Sequence, residues 1–195
     1  GCHNHPMATD IQKAVQYSCN PYYYYVMKKI IQQGKNKNAF ADAEEGLTKW
    51  VKYMNSFGLG VKMESDISGV KKGLIPGPKF YDKWYGYHNW QFSSIRSISI
   101  GQGEVKLTPL QMANIAAIIA NRGWYYTPHF VKSVGGKGPL EAFQKKNYTM
   151  VNAKYYPSVI EGMRRVVNES GGTAASARLE NIVICGKTGT VQNPH

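Results

Sequence analysis

The sequence predicts a mainly helical chain of the α/β (α+β) class with one good strand near its far end, and three observations carry that reading. Capped, amphipathic segments recur between residues 9 and 167. A Gly/Pro-rich stretch, residues 58–78, breaks them with extended chain. A β-branched run, Ile182-Val183-Ile184, follows the last helix. With 195 residues the chain is long enough to bury a real core, normally as one domain. A hydrophobic content of 43% argues against disorder.

The elements follow in order. Thr9-Asp10-Ile11-Gln12 matches a capping box, and Ile11, Ala14 and Val15 then share one helix face. Pro21 disfavours helical geometry at Asn20, so a second helix restarts with Asn20 as cap and Pro21 first, and ends at Gly34. Ser18-Cys19-Asn20 is then a polar helix-to-helix corner that can point into a cleft. Asp42 with Glu45 is expected to cap a third helix, whose Leu47, Trp50, Val51, Met54 and Phe57 form a stripe before Gly58 stops it. An aromatic cluster over residues 80–92 is expected to pack a lobe.

Thr108-Pro109-Leu110-Gln111 gives the clearest helix start, with threonine as cap, proline first and glutamine closing the box. Residues 112–119 are apolar on almost every face, which predicts a helix in the middle of the core. Asn121-Arg122-Gly123 ends it. Residues 124–134 read as a strand or extended segment interrupted at Pro128. Pro157 opens a last helix through Val167, and Gly171-Gly172 breaks it before the terminal strand. A lone strand has no stability without neighbours.

Charge and cysteine content exclude some classes. The net charge of +12 suits acidic partners, but the lysines fall in scattered pairs with no zinc-finger or RNA-binding signature, so no nucleic-acid partner is expected. Three cysteines without a Cys-x-x-Cys make no disulfide framework, and Cys19 and Cys185 are expected as small buried packing residues. Cys2-His3-Asn4-His5 lacks a matching second half, so neither metal nor cofactor is expected. No apolar run reaches the length of a membrane span. The chain begins at Gly1, which is expected of a soluble protein or of a piece of a longer one.

Chemistry concentrates in two places. Lys187-Thr188-Gly189-Thr190 sets a cation, two hydroxyls and a bare glycine at the end of the predicted strand, a set suited to a small carboxylate. Ser18-x-Asn20 is the only Ser-x-Asn, at a helix corner. Between them runs Ser99-Ile100-Gly101-Gln102-Gly103-Glu104-Val105, leading into Thr108-Pro109-Leu110-Gln111-Met112-Ala113. This run, with Asn121-Arg122-Gly123 and Pro128-His129, resembles the transpeptidase domain of class B penicillin-binding proteins, most closely the type that builds the lateral wall during elongation. The resemblance extends over nearly all of residues 1–195, read as one partial transpeptidase domain.

The resemblance implies a fold in which a five-stranded antiparallel sheet packs between helices beside a helical lobe, this chain supplying mainly the lobe and one strand. It implies acyl transfer on peptidoglycan stem peptides ending in D-alanyl-D-alanine, and trapping by β-lactam antibiotics. In that reading Ser18 joins the proton relay, Asn20 holds the acyl side-chain amide, and Lys187 supports the relay with positive potential. Thr188 and Thr190 bind the terminal carboxylate beside Gly189, and the Thr190 N–H forms one arm of an oxyanion hole. Other cell-wall synthesis proteins are the implied partners, and the cytoplasmic membrane, with the domain outside it, is the implied location.

One motif of the family is not where it is needed. The single Ser-x-x-Lys, Ser68-Gly69-Val70-Lys71, falls after Ser-x-Asn and in glycine-rich chain that will not form the required helix. The nucleophile is therefore expected upstream of Gly1, in an internal fragment carrying two of three motifs. The alternatives are a β-lactamase or β-lactam sensor of the same fold, or a non-catalytic scaffold of the cell-wall machinery.

Overall fold

Residues 5–190 are described by the structure, a computed structural model. α1 (Ile11–Gln16) is capped by Asp10, whose carboxylate accepts from the Lys13 N–H at 2.8 Å, so the cap sits one residue beyond the expected Thr9. α2 (Asn20–Ile31) takes Cys19 as its cap residue and Pro21 near its start. α3 (Ala39–Ser56) is capped by Asn38, not by Asp42. Asp42 instead accepts from the backbone N–H groups of Gly34, Lys35 and Asn36, tying down the loop before the helix. Those bonds, led by the one from Gly34, lower its pKa. A sequence pattern cannot separate the two placements, because both put an acid near a helix start.

α4 (Pro78–Tyr85), α5 (Phe92–Ile95) and the 3-10 turn Arg96–Ile100 complete a helical lobe. Its core gathers Met27 and Ile31 of α2, Leu47 of α3, and Tyr81, Trp90 and Ile98. The aromatic cluster does pack this lobe: Tyr81 and Trp90 are buried, and the Trp90 indole donates to Asp82 at 2.8 Å. Trp84 remains exposed. His88 lies 2.7 Å from Glu44 of α3.

α6 (Pro109–Ala120) begins as expected, with a reciprocal Thr108–Gln111 capping box and Pro109 in the first turn. Gln111 also donates to the carbonyls of Gly58 and Lys72, both at 3.0 Å, pinning the two ends of the glycine-rich segment. The helix does not lie in mid-core. Gln111, Asn114 and Ile118 face inward, whereas Met112 is 55% exposed and turns an apolar face to a cleft.

β1 (Trp124–Tyr126) pairs antiparallel with β2 (Lys146–Tyr148), which the sequence did not announce, while α7 (Glu141–Gln144) precedes β2. Three residues of the expected 124–134 segment form β1, and Val134 makes an isolated bridge to Lys137. Tyr125 anchors it from below, packed with Ile118 and Tyr156. α8 (Tyr156–Asn168) closes against α1 and α6.

The expected terminal strand forms no ladder with any described segment. Its polar groups are taken by α8 instead: the Asn168 amide donates to the Ile184 carbonyl at 2.8 Å, and the Gly186 N–H to Met163 O at 3.1 Å. Ile184 packs on Val15, Val166 and Val167, while Ile182 and Val183 are more than 60% exposed. β-branched residues state a preference, but a strand exists only where a neighbouring backbone supplies bonds.

Two consequences are measurable. Gly162 of α8 meets α1 so closely that an added Cβ would lie 2.8 Å from Val15 Cβ. Gly162→Ala should therefore destabilise the chain by about 1–3 kcal/mol in urea denaturation, despite alanine's better helix propensity. Hydrogen bonds from Arg164, then Arg165, hold the Glu161 carboxyl at about 2, below its ordinary 4.5. A depressed carboxyl stabilises fully above its unfolded value, and that contribution is lost as pH falls from about 4.5 towards 2. The melting temperature should fall less steeply over that window in Glu161→Gln than in the wild type.

Candidate active site

The corner between α1 and α2 sets Ser18 in a left-handed conformation, φ 53°, with its N–H donating to Val15 O and the Cys19 N–H to Ala14 O. A non-glycine residue there is uncommon and carries local strain. The turn aims the Ser18 hydroxyl across to residues 187 and 188. Lys187 Nζ donates to Ser18 Oγ, and also to Thr188 Oγ1 at 3.2 Å and Thr188 O at 3.1 Å. Ser18 Oγ and Thr188 Oγ1 are 3.3 Å apart. Residues from opposite ends of the sequence thus form one hydroxyl–ammonium cluster.

The cluster rims a cleft of about 610 Å³. Ser18, Asn20, Lys187 and Thr188 line its polar edge, and Val15, Ile115, Ile119 and Met163 form its apolar floor. Asn20, in the first turn of α2, thereby shares the cleft with Ser18. Gly189 has open space where a side chain would stand. Thr190 is held from the helical lobe, its carbonyl accepting from Gln102 Nε2 at 3.3 Å. Of the six sequence-predicted residues, three are directly bonded together, Asn20 lines the same cleft, and Gly189 and Thr190 continue past it.

Electrostatics follow from this packing. Partial desolvation of the Lys187 ammonium lowers its pKa, because water solvates the charged form better than the hydroxyls do. Tyr23, on the cleft wall, is pushed up to about 12, first by burial, and stays a neutral phenol. Cys19 is buried as expected, but Cys185 is exposed at the cleft, because the segment carrying it has no sheet to cover it.

Ser68 sits in an exposed turn beside Gly69 at φ 73°, so it shares no helix face with Lys71. The Cys2–Asn4 part of the possible metal motif lies outside the described residues, and among those described no His/Cys/Asp/Glu group could hold a metal ion. No helix among them is long and apolar enough to cross a membrane. Sequence reasoning missed Thr173, whose hydroxyl joins the cluster at 3.0 Å from Thr188 Oγ1. The only signal was a small polar residue directly after Gly171-Gly172, a pair that reads simply as a helix stop.

The fold agrees with comparisons to known proteins. A family model described as "Penicillin binding protein transpeptidase domain" matches residues 1–194. The peptidoglycan D,D-transpeptidases MrdA of Acinetobacter baumannii and Haemophilus influenzae are 28% and 30% identical over 187 and 189 residues, 94% of this chain in each case. The chain spans about a quarter of their length, 25% and 26%. Among solved structures, Pseudomonas aeruginosa PBP2 aligns with a TM-score of 0.69 at 26% identity, over 86% of this chain and 33% of that one. Helicobacter pylori PBP2 aligns with a TM-score of 0.70 at 26% identity, over 94% of this chain and 31% of that one, and has also been solved in complex with MreC.

The chain belongs to the penicillin-binding protein transpeptidase family, in its class B branch of MrdA/PBP2 type.

A lysine desolvated in this way should titrate below its ordinary 10.5. Heteronuclear NMR of the Lys187 ammonium should show a lowered midpoint. A midpoint at or above the ordinary value would contradict the packing described.

Proposed function

We propose that this chain is part of a peptidoglycan D,D-transpeptidase acting on D-alanyl-D-alanine stem peptides through a serine acyl-enzyme. The observation that carries the reading is the convergence of Ser18, Lys187 and Thr188 at the rim of one cleft that Asn20 also lines. In this reading the site supplies a proton relay and a carboxylate-binding edge, while no helical Ser-x-x-Lys occurs among the described residues. The nucleophile comes from a segment outside them. The apolar floor suits a helix that buries one face and presents a serine and a lysine at the rim.

The chemistry then runs in two halves. The nucleophilic hydroxyl attacks the carbonyl carbon of the penultimate D-alanine, and its proton passes through the relay to the leaving amine. The C–N bond breaks and the terminal D-alanine departs. An amine of a second stem peptide attacks the resulting ester, gives up a proton to the relay, and restores the serine. Lys187 supplies the positive potential that favours an anionic substrate, and Ser18 relays the proton. Asn20 holds the acyl amide, and the Thr188 and Thr190 hydroxyls take the carboxylate beside the open face at Gly189. The Thr190 N–H is one arm of the oxyanion hole. A β-lactam enters by the same carbonyl chemistry and stays as the acyl-enzyme.

The parent protein works at the outer face of the cytoplasmic membrane, with other cell-wall synthesis proteins as partners. Support comes from the names of the relatives and from the solved PBP2–MreC complex of Helicobacter pylori.

The full-length protein should be acylated by a fluorescent penicillin, with the adduct on a serine outside residues 1–195 when located by mass spectrometry. Lys187→Ala should slow that acylation by roughly 10²–10³-fold, the scale of losing one preorganised electrostatic contact. An adduct on a serine within residues 1–195 would sink the reading.

A further inference from the structure

The transpeptidase reading uses Ser18, Asn20 and residues 187–190, and leaves one hydroxyl of the cluster without a role. Thr173 Oγ1 lies 3.0 Å from Thr188 Oγ1 and 3.4 Å from Ser18 Oγ, and those two are 3.3 Å from each other. The three hydroxyls close a triangle. Lys187 donates to two of its corners, Ser18 and Thr188.

The donor inventory decides what the third corner does. An ammonium only donates, so Thr188 Oγ1 is an acceptor towards Lys187. A hydroxyl oxygen has two acceptor positions and one proton. When Lys187 fills one position and Thr173 donates into the other, Thr188 has only its own proton left to offer. Thr188 is then purely a donor, with Ser18 Oγ at 3.3 Å or an anion in the cleft to receive its proton. Without the Thr173 hydroxyl, one acceptor position of Thr188 is empty, and the side chain loses the 3.0 Å contact that fixes where its hydroxyl stands.

Thr173 is also held in place from two sides. The amide of Gln16, buried at the end of α1, donates to Ser170 O at 2.9 Å, and the Thr173 N–H reaches Gln16 O at 3.4 Å. The Ala174 N–H donates to Val166 O of α8 at 3.0 Å. Gly171 takes φ 74°, and a Cβ on Gly172 would run into the Arg165 and Val166 carbonyl oxygens. The turn is therefore seated tightly between the ends of α1 and α8 with its hydroxyl towards Ser18 and Thr188.

We propose that Thr173 is a positioning residue of the site: its hydroxyl bonds Thr188 Oγ1 and so holds that hydroxyl at the cleft edge, as a donor to the carboxylate of the stem peptide or of a β-lactam. The proposal rests on the transpeptidase reading and deepens its carboxylate-binding edge.

The test compares wild type, Thr173→Val and Thr173→Ser in the full-length protein, with a penicillin bearing its free carboxylate and with the methyl ester of the same penicillin. Acylation rate constants are read by mass spectrometry. Thr173→Val keeps the shape and loses the hydroxyl, so it should slow the free acid by about tenfold and the ester by less than about twofold, the scale of one hydrogen bond. Thr173→Ser should stay within about twofold of wild type on both. Equal loss on acid and ester means that Thr173 serves only the shape of the turn, and overturns the proposal. So does a Thr173→Val protein that reacts like wild type. A wild type that reacts with neither compound fails the transpeptidase reading itself, and the proposal falls with it; a reactive wild type with an unaffected valine variant removes the proposal alone.

Discussion

The close contact between α1 and α8 is what the remainder of the cleft depends on. Gly162 has no side chain, so Val15 can lie against the α8 backbone, and the two helices join through Val15, Val166 and Val167. Ser18 hangs from the end of α1, while α8 carries the bonds that fix residues 184 and 186. Lys187 reaches Ser18 because these two supports touch. Gln16 and the 170–174 turn lock the same corner from the other side. One small residue in a helix therefore governs the distance between groups almost a whole chain apart.

The cleft also shows why its polar edge and apolar floor belong together. An ammonium facing bulk water would keep its full hydration, but Lys187 is packed against hydroxyls above apolar side chains and loses part of it. Its charge is correspondingly less screened for an incoming anion. The exposed face of α6 contributes to that floor through Met112, Ile115 and Ile119. Burial in a core would have made these residues purely structural. Here they set the dielectric in which the polar edge works.

Sequence made local features legible and non-local ones only in part. The Thr108–Gln111 box was readable because cap, proline and closing glutamine lie within four residues. Asp42 was misread because its partners, residues 34–36, precede the helix, and nothing local marks a carboxylate that folds back on its own loop. β2 was invisible: Lys146-Asn147-Tyr148 has no strand pattern, and it pairs because Tyr125 is anchored below its neighbour. The candidate site residues and their convergence were expected from the resemblance alone, since nothing local links positions 18 and 187, and Thr173 was hidden because a hydroxyl has no motif until something stands 3 Å away from it.

The 169-residue separation of Ser18 and Lys187 has a kinetic consequence. Bringing such distant positions together costs more chain entropy than closing any helix-to-helix turn in the lobe, and contacts of this span accumulate late in folding. The helical lobe, built mostly from neighbouring elements, can reach its packing while the Ser18–Lys187 corner is still open. A chain stalled at that stage would look largely folded by helix content and yet lack the hydroxyl–ammonium cluster. The cleft is in this sense a checkpoint: its polar edge exists only once residues 18 and 187 have met.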